Sequence, residues 1–172
     1  MSAEGANTKG AEAAELVAEL SRRGLTIALA ESLTGGLLVA EFVAVPGASA
    51  VVNGGVVAYN TALKHSILGV DAELLAKRGA VDRDVAAEMA EGVRRACAVK
   101  GVDASFGIST TGVAGPDPQD GKPVGTVFIG VASDAGTRVV GLTFGGSRMS
   151  IRNAVVSECL VQLKEELTDF GI

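Results

Sequence analysis

The spacing of apolar residues changes period several times along the chain. From Ala11 to Arg23, Leu16, Val17 and Leu20 share one helical face, and Gly24 ends the segment. Leu25–Ala30 (LTIALA) is a continuous apolar run of strand length. The polar turn Glu31–Gly36 follows, and LLVAEFVAV then has the length of a buried helix stopping before Pro46. Val51–Tyr59 predicts a second strand, interrupted by Gly54 and Gly55, where a bulge or a close backbone approach calls for glycine. Short helical pieces are expected over Thr61–Leu68 and Asp71–Arg78.

A stronger helix is predicted over Asp82–Val99, because Val85, Met89, Val93 and Cys97 recur every fourth residue and Gly101 closes it. Ser105–Thr110 has strand character, and Thr111–Pro123 is a loop dense in Gly, Pro and Asp. Val124–Ser133 and Thr137–Phe144 predict a hairpin around Asp134-Ala135-Gly136. The last helix is expected from Ser150 to Leu167, with Ile151, Val155, Val156, Leu160, Leu163 and Leu167 as its apolar stripe. Helix and strand alternate over the first two thirds, and a hairpin follows. The predicted fold is α/β, a three-layer α/β/α sandwich around a mixed, mostly parallel β-sheet. Residues 1–10 are expected to form a flexible N-terminal arm, and residues 11–172 a single domain.

Composition narrows the picture. Hydrophobic residues make up 48% of the 172 positions and charged residues 20%, which excludes a disordered chain. Aromatics are only 3%, with no Trp, while glycine reaches 23 residues, so the interior has to be built from Val, Ala, Leu and Ile with close backbone approaches. A net charge of -5, with no basic stretch interleaved with aromatics, argues against a nucleic-acid partner. No run approaches the length of a membrane span, and Met1–Gly10 lacks an apolar export region, so a cytoplasmic protein with no membrane partner is expected. Cys97 and Cys159 have neither CxxC spacing nor a histidine cluster. They are expected as small buried thiols, with no metal site.

Three glycine-bearing loops follow predicted strands: Glu31–Gly36, Asn53–Gly55 with Tyr59 beyond it, and Thr110–Gly125. Loops at the carboxyl ends of strands line the ligand crevice of open α/β sheets. Neither Gly107–Gly112 nor Gly121-Lys122-Pro123 completes a P-loop, and no G-x-G-x-x-G opens a helix after a strand, so ATPase and dinucleotide chemistry are unsupported. Ser32, between a strand and a helix start, is a candidate nucleophile. Backbone N–H groups at that helix start are candidate oxyanion or phosphate donors. Serine at such a place also caps helices, and the sharper reading needs a base. His65, the single histidine, and Lys64 compete for that role. A desolvated lysine can fall toward about 7–8 and deprotonate a serine.

ALAESLTGG (28–36), GGVVAYNTALKHSILGV (54–70), TGVAGPDPQDGKPVGTVFI (111–129) and FGGSRMSIRNA (144–154) resemble the CinA C-terminal domain family, in order and over nearly the whole chain. The family includes nicotinamide mononucleotide amidohydrolases, which convert the mononucleotide and water to nicotinate mononucleotide and ammonia. The resemblance implies that Ser32 is the nucleophile of a Ser-Lys amidase, Lys64 its general base and Tyr59 a proton relay or orienting hydroxyl. It places Thr34, Gly35 and Gly36, together with Thr111, Gly112 and Gly115, around the substrate, and Arg148 and Arg152 near its phosphate, with the greater weight on Arg152. It implies no metal or other cofactor and a role in pyridine-nucleotide salvage, and a homo-oligomer is expected. Two positions depart from the family pattern: Ser147 replaces an Asp before Arg148, and Leu33 replaces a Cys after the nucleophile. Longer members carry an N-terminal molybdopterin-binding-like domain, and with 172 residues any activity of that domain is expected to be missing. A catalytically silent ligand-binding domain and an amidase for another carboxamide are the competing expectations.

Overall fold

The computed structural model describes residues 3–169 and contains a five-stranded sheet with helices on both faces. The elements in order are α1 (Ala3–Arg23), β1 (Ile27–Glu31), α2 (Leu37–Val43), β2 (Val52–Val57), α3 (Thr61–Ser66), α4 (Ala72–Arg78), α5 (Arg83–Ala96), β3 (Phe106–Gly112), β4 (Thr126–Ser133), β5 (Gly136–Thr143) and α6 (Arg148–Asp169). The strand order is β2-β1-β3-β4-β5. β1 pairs in parallel with both β2 and β3, and β4 is antiparallel to both β3 and β5, so β4 alone runs against the others. The predicted mixed α/β/α architecture is present.

Period-two alternation divides the interior in two. Ile27 and Leu29 of β1, Phe106 and Ile108 of β3, and Val127 and Ile129 of β4 pack with α1, α2 and α6 in the larger core. Ala28 and Ala30 face the other way, toward Val85, Met89 and Val93 of α5. Small residues on that face let the helix come close. A Cβ on Gly107 would fall 1.9 Å from Ala90 O, and Ser109 Oγ donates to Ala86 O at 2.6 Å.

Asn60, Asp71 and Asp82 cap α3, α4 and α5 with their side chains. Gly54 and Gly55 answer both sequence expectations. The register slips between Ile27 and Ala28, and a Cβ on Gly55 would lie 2.2 Å from Val39.

Several boundaries differ from the sequence reading. α1 starts at Ala3, so the predicted arm is helical from that residue on; Ala3, Glu4, Ala6 and Lys9 favour helix although they carry no apolar stripe. Met1 and Ser2 of the arm lie outside the described residues. α5 stops at Ala96, because Val99 and Val102 bridge across Lys100 and Gly101, both at positive φ. α6 begins at Arg148, two residues before the predicted start.

β1 connects to β2 through α2 on one face, and β2 to β3 through the α3–α5 segment, with α5 on the other. The connections therefore diverge at the carboxyl ends of β1 and β3, where a doubly wound sheet opens a crevice.

Candidate active site

Ser32 stands immediately after β1, and its N–H donates to Thr110 O on β3 at 3.0 Å. Lys64 comes from α3. Its side chain has no exposed surface, and its Nζ donates to Ser32 Oγ at 3.0 Å and to Ala58 O at 2.7 Å. Burial pushes the Lys64 ammonium down to about 8, with the negative charge of Asp120 acting weakly in the opposite direction. A lysine near 8 has an appreciable amine fraction at neutral pH, and that amine can accept the proton of the serine it already touches.

His65 does not line the cleft that Ser32 and Lys64 share. Its Nδ1 lies 2.7 Å from Val70 O, and since a carbonyl only accepts, Nδ1 carries the proton. The imidazole therefore serves the turn after α3.

The serine and the lysine line a polar cleft with Tyr59, Thr111, Gly112, Gly115 and Arg148. Thr111 is buried and donates its hydroxyl to Ala80 O at 2.6 Å, which fixes the wall formed by β3. Tyr59 is 60% exposed, and its hydroxyl accepts from Arg148 Nη2 at 2.8 Å, while Nη1 of the same guanidinium donates to Gly115 O at 2.7 Å. The hydroxyl of Tyr59 is thus engaged at the mouth of the cleft by Arg148 and makes no hydrogen bond to Ser32 or Lys64.

Four residues expected around the substrate do not line this cleft. Thr34 is wholly buried, with its hydroxyl 2.8 Å from that of Thr110. Gly35 and Gly36 adopt positive φ, 58° and 96°, and shape the turn without lining the cleft. Arg152 donates from Nε to Leu33 O at 2.9 Å and from Nη2 to Thr34 O at 2.6 Å, so its guanidinium is engaged by the backbone of the turn after Ser32. The expected N–H donors at the start of α2 are also taken. Gly36, Leu38 and Val39 donate to the carboxylate of Glu31 at 2.9, 3.1 and 2.8 Å.

Glu31 was not singled out from sequence, although a carboxylate ending an apolar strand just before a helix start is a readable sign of a buried cap. Asp117 and Gln119, which line the cleft, and Asp120, which accepts from Ala80 N at 2.9 Å, were also missed. Asp120 lies 40 residues from its partner, and no local pattern announces that contact.

The CinA C-terminal domain model matches residues 10–167. A CinA-like protein of Frankia casuarinae is 51% identical over 139 residues, which is 80% of this chain and 31% of that protein. A putative competence-damage inducible protein of Desulforamulus reducens is 48% identical over 144 residues, 84% of this chain and 34% of that protein. The chain spans about a third of the length of these curated relatives.

Among solved structures, the competence/damage inducible protein CihA of Agrobacterium tumefaciens is similar with a TM-score of 0.85 and 33% identity, covering 93% of this chain and 95% of that one. A competence-damaged protein (CinA) superfamily protein of Klebsiella pneumoniae gives 0.87 and 28%, covering 94% and 98%.

Proposed function

The chain belongs to the CinA C-terminal domain family, and from that premise and the pairing of Ser32 with the buried Lys64 we propose that it is a nicotinamide mononucleotide deamidase acting in pyridine-nucleotide salvage in the cytoplasm. The observation that carries the reading is the 3.0 Å hydrogen bond from Lys64 Nζ to Ser32 Oγ, made by a lysine that burial has brought down to about 8.

In the amine form, Lys64 takes the proton of Ser32 as Oγ attacks the carboxamide carbon of the nicotinamide. The tetrahedral intermediate collapses by breaking the carbon–nitrogen bond, and the proton held on Lys64 passes to the departing nitrogen, which leaves as ammonia. Water then attacks the acyl-serine, giving its proton to Lys64, and nicotinate mononucleotide departs as the serine hydroxyl is restored. The chemistry draws on a base, a nucleophile and water, all of which this cleft can supply without a cofactor.

Arg148 is the residue suited to the phosphate. It lies at the cleft mouth, and two of its five N–H donors are accounted for by Tyr59 and Gly115, which leaves the rest for an anion. The test is ammonia release from nicotinamide mononucleotide by the purified protein, beside the Ser32→Ala variant. Release that depends on Ser32 supports the reading. Equal release by both proteins, or none by the wild type, overturns it; release from other carboxamides alone reassigns the substrate.

A further inference from the structure

The nucleophile turn is held by two side chains that are not among the reacting groups. The carboxylate of Glu31, with no exposed surface, accepts three N–H groups at its far end, from Gly36, Leu38 and Val39. The half-buried guanidinium of Arg152, on α6, holds the carbonyl oxygens of Leu33 and Thr34, the two residues after Ser32. Gly35 presses against the same guanidinium: a Cβ there would lie 3.3 Å from Nη2, and its φ of 58° already calls for glycine. Ser32 itself is tied by its N–H to Thr110 O at 3.0 Å.

The two clamps pull on opposite ends of the peptide dipoles. Carbonyls of Leu33 and Thr34 are drawn toward a cation, and N–H groups beyond them toward an anion. A six-residue turn that on its own would sample many conformations is thereby confined to one. Within the clamped turn the Ser32 side chain points to the cleft, its Oγ accepting from Lys64.

Resting on the amidase reading, we propose that Arg152, with Glu31, is a positioning residue that sets the direction of Ser32 Oγ, and not a ligand of the substrate phosphate. The charge on Arg152 is directed at the turn carbonyls, and the residue does not line the cleft. A displacement of a reacting atom by about 1 Å costs on the order of 100-fold in rate, whereas loss of a ground-state contact to the phosphate raises KM.

The experiment compares wild type, Arg152→Ala and Arg152→Lys by steady-state kinetics on nicotinamide mononucleotide and nicotinamide riboside. Hydrogen exchange is followed by mass spectrometry over residues 31–39. The expected result for Arg152→Ala is a kcat lower by about 100-fold on both substrates with KM little changed, and faster exchange confined to residues 31–39. Arg152→Lys, which can reach one carbonyl in place of two, should fall between, and added guanidinium below its denaturing range should restore kcat to the alanine variant.

A KM rise for the mononucleotide alone, with exchange over 31–39 unchanged, overturns the proposal and makes Arg152 a phosphate ligand. The exchange measurement needs no turnover, so it decides the clamp even if the wild-type protein releases no ammonia and the amidase reading itself falls.

Discussion

Lys64 Nζ reaches Ser32 Oγ at 3.0 Å across 32 positions of sequence, and the same ammonium is held by Ala58 O at 2.7 Å. The second contact fixes the amine while leaving the serine as its other hydrogen-bonding partner, so the two side chains form one unit, which the amidase reading uses as nucleophile and base. Ser32→Ala and Lys64→Ala are each expected to abolish ammonia release. Because both residues serve the same proton transfer, the double variant should be scarcely slower than either single one. Additive losses in the double variant would show two independent roles. His65→Ala should keep most of the activity, since the imidazole bonds to Val70 O and stays out of the cleft.

The pH dependence follows from the same burial. Only the amine form of Lys64 can accept a proton, and its ammonium loses its proton at about 8. The value of kcat/KM should therefore rise with pH through about 8 and level off above it, reporting the free enzyme's base. An ascending limb centred near the ordinary histidine value of about 6.5 would instead point to another group.

Stability carries the complementary signature. The folded-state value of about 8 lies below the 10.5 of an unperturbed lysine. Well below pH 8 the chain is protonated at Lys64 in both states, and the folded state bears the full cost of a buried ammonium. Between about 8 and 10.5 the unfolded state binds more protons, so the free energy of unfolding rises with pH, in total by about 3 kcal/mol for this one group. Lys64→Met should be more stable than wild type at pH 7, with the gap narrowing as pH approaches 10. Denaturation midpoints at pH 7, 8.5 and 10 measure it, and a gap independent of pH would contradict the burial account.

Close packing of α5 on the sheet gives a prediction about the fold. A Cβ at Gly107 would sit 1.9 Å from Ala90 O and 2.7 Å from Arg94 Cγ, so Gly107→Ala has to push the helix outward. Overpacking of this kind costs about 1–3 kcal/mol and should lower Tm accordingly. Gly10 in α1 has nothing within 4 Å of its Cβ position, and Gly10→Ala should stabilise by about 0.5–1 kcal/mol, the ordinary helical difference. Thermal melts of the two variants should move in opposite directions.

The contrast between these glycines marks where sequence reading succeeds. Period-four spacing in α5 and the apolar runs of β1, β3 and β4 expose the layered architecture, because each apolar face needs a partner layer. That Ser32, Lys64 and the Thr111–Gly115 stretch would come together was likewise legible, since they follow strand ends, and the structure brings them to one cleft. The contacts of Arg152 with the Leu33 and Thr34 carbonyls could not be read from its spacing from Arg148 on one helix, because those carbonyls lie more than a hundred residues away. Glu31 read as one more polar turn residue, although it ends β1 and turns its carboxylate back on α2. Side chains that act on backbone atoms leave weak local traces, whereas those that build faces repeat.

On the amidase reading, substrate choice is expected to turn on Arg148 and Tyr59. Arg148 Nη2 donates to the Tyr59 hydroxyl at 2.8 Å and Nη1 to Gly115 O at 2.7 Å, so the guanidinium is braced across the cleft mouth between the segment after β2 and the loop after β3. A braced arginine loses less side-chain freedom when it meets an anion than a free one does. Removing it should cost about 1.5–3 kcal/mol of phosphate binding, roughly 10- to 150-fold in affinity. Arg148→Ala is therefore expected to raise KM for nicotinamide mononucleotide by about that factor, with kcat retained and the weaker turnover of the riboside little changed. Tyr59→Phe removes the brace and keeps the ring; since Tyr59 makes no hydrogen bond to Ser32 or Lys64, the variant should show a smaller KM rise of the same selectivity and nearly normal kcat. A large kcat loss in Tyr59→Phe, equal on both substrates, would return Tyr59 to the proton-relay role and require the hydroxyl to leave Arg148 for the dyad when substrate binds.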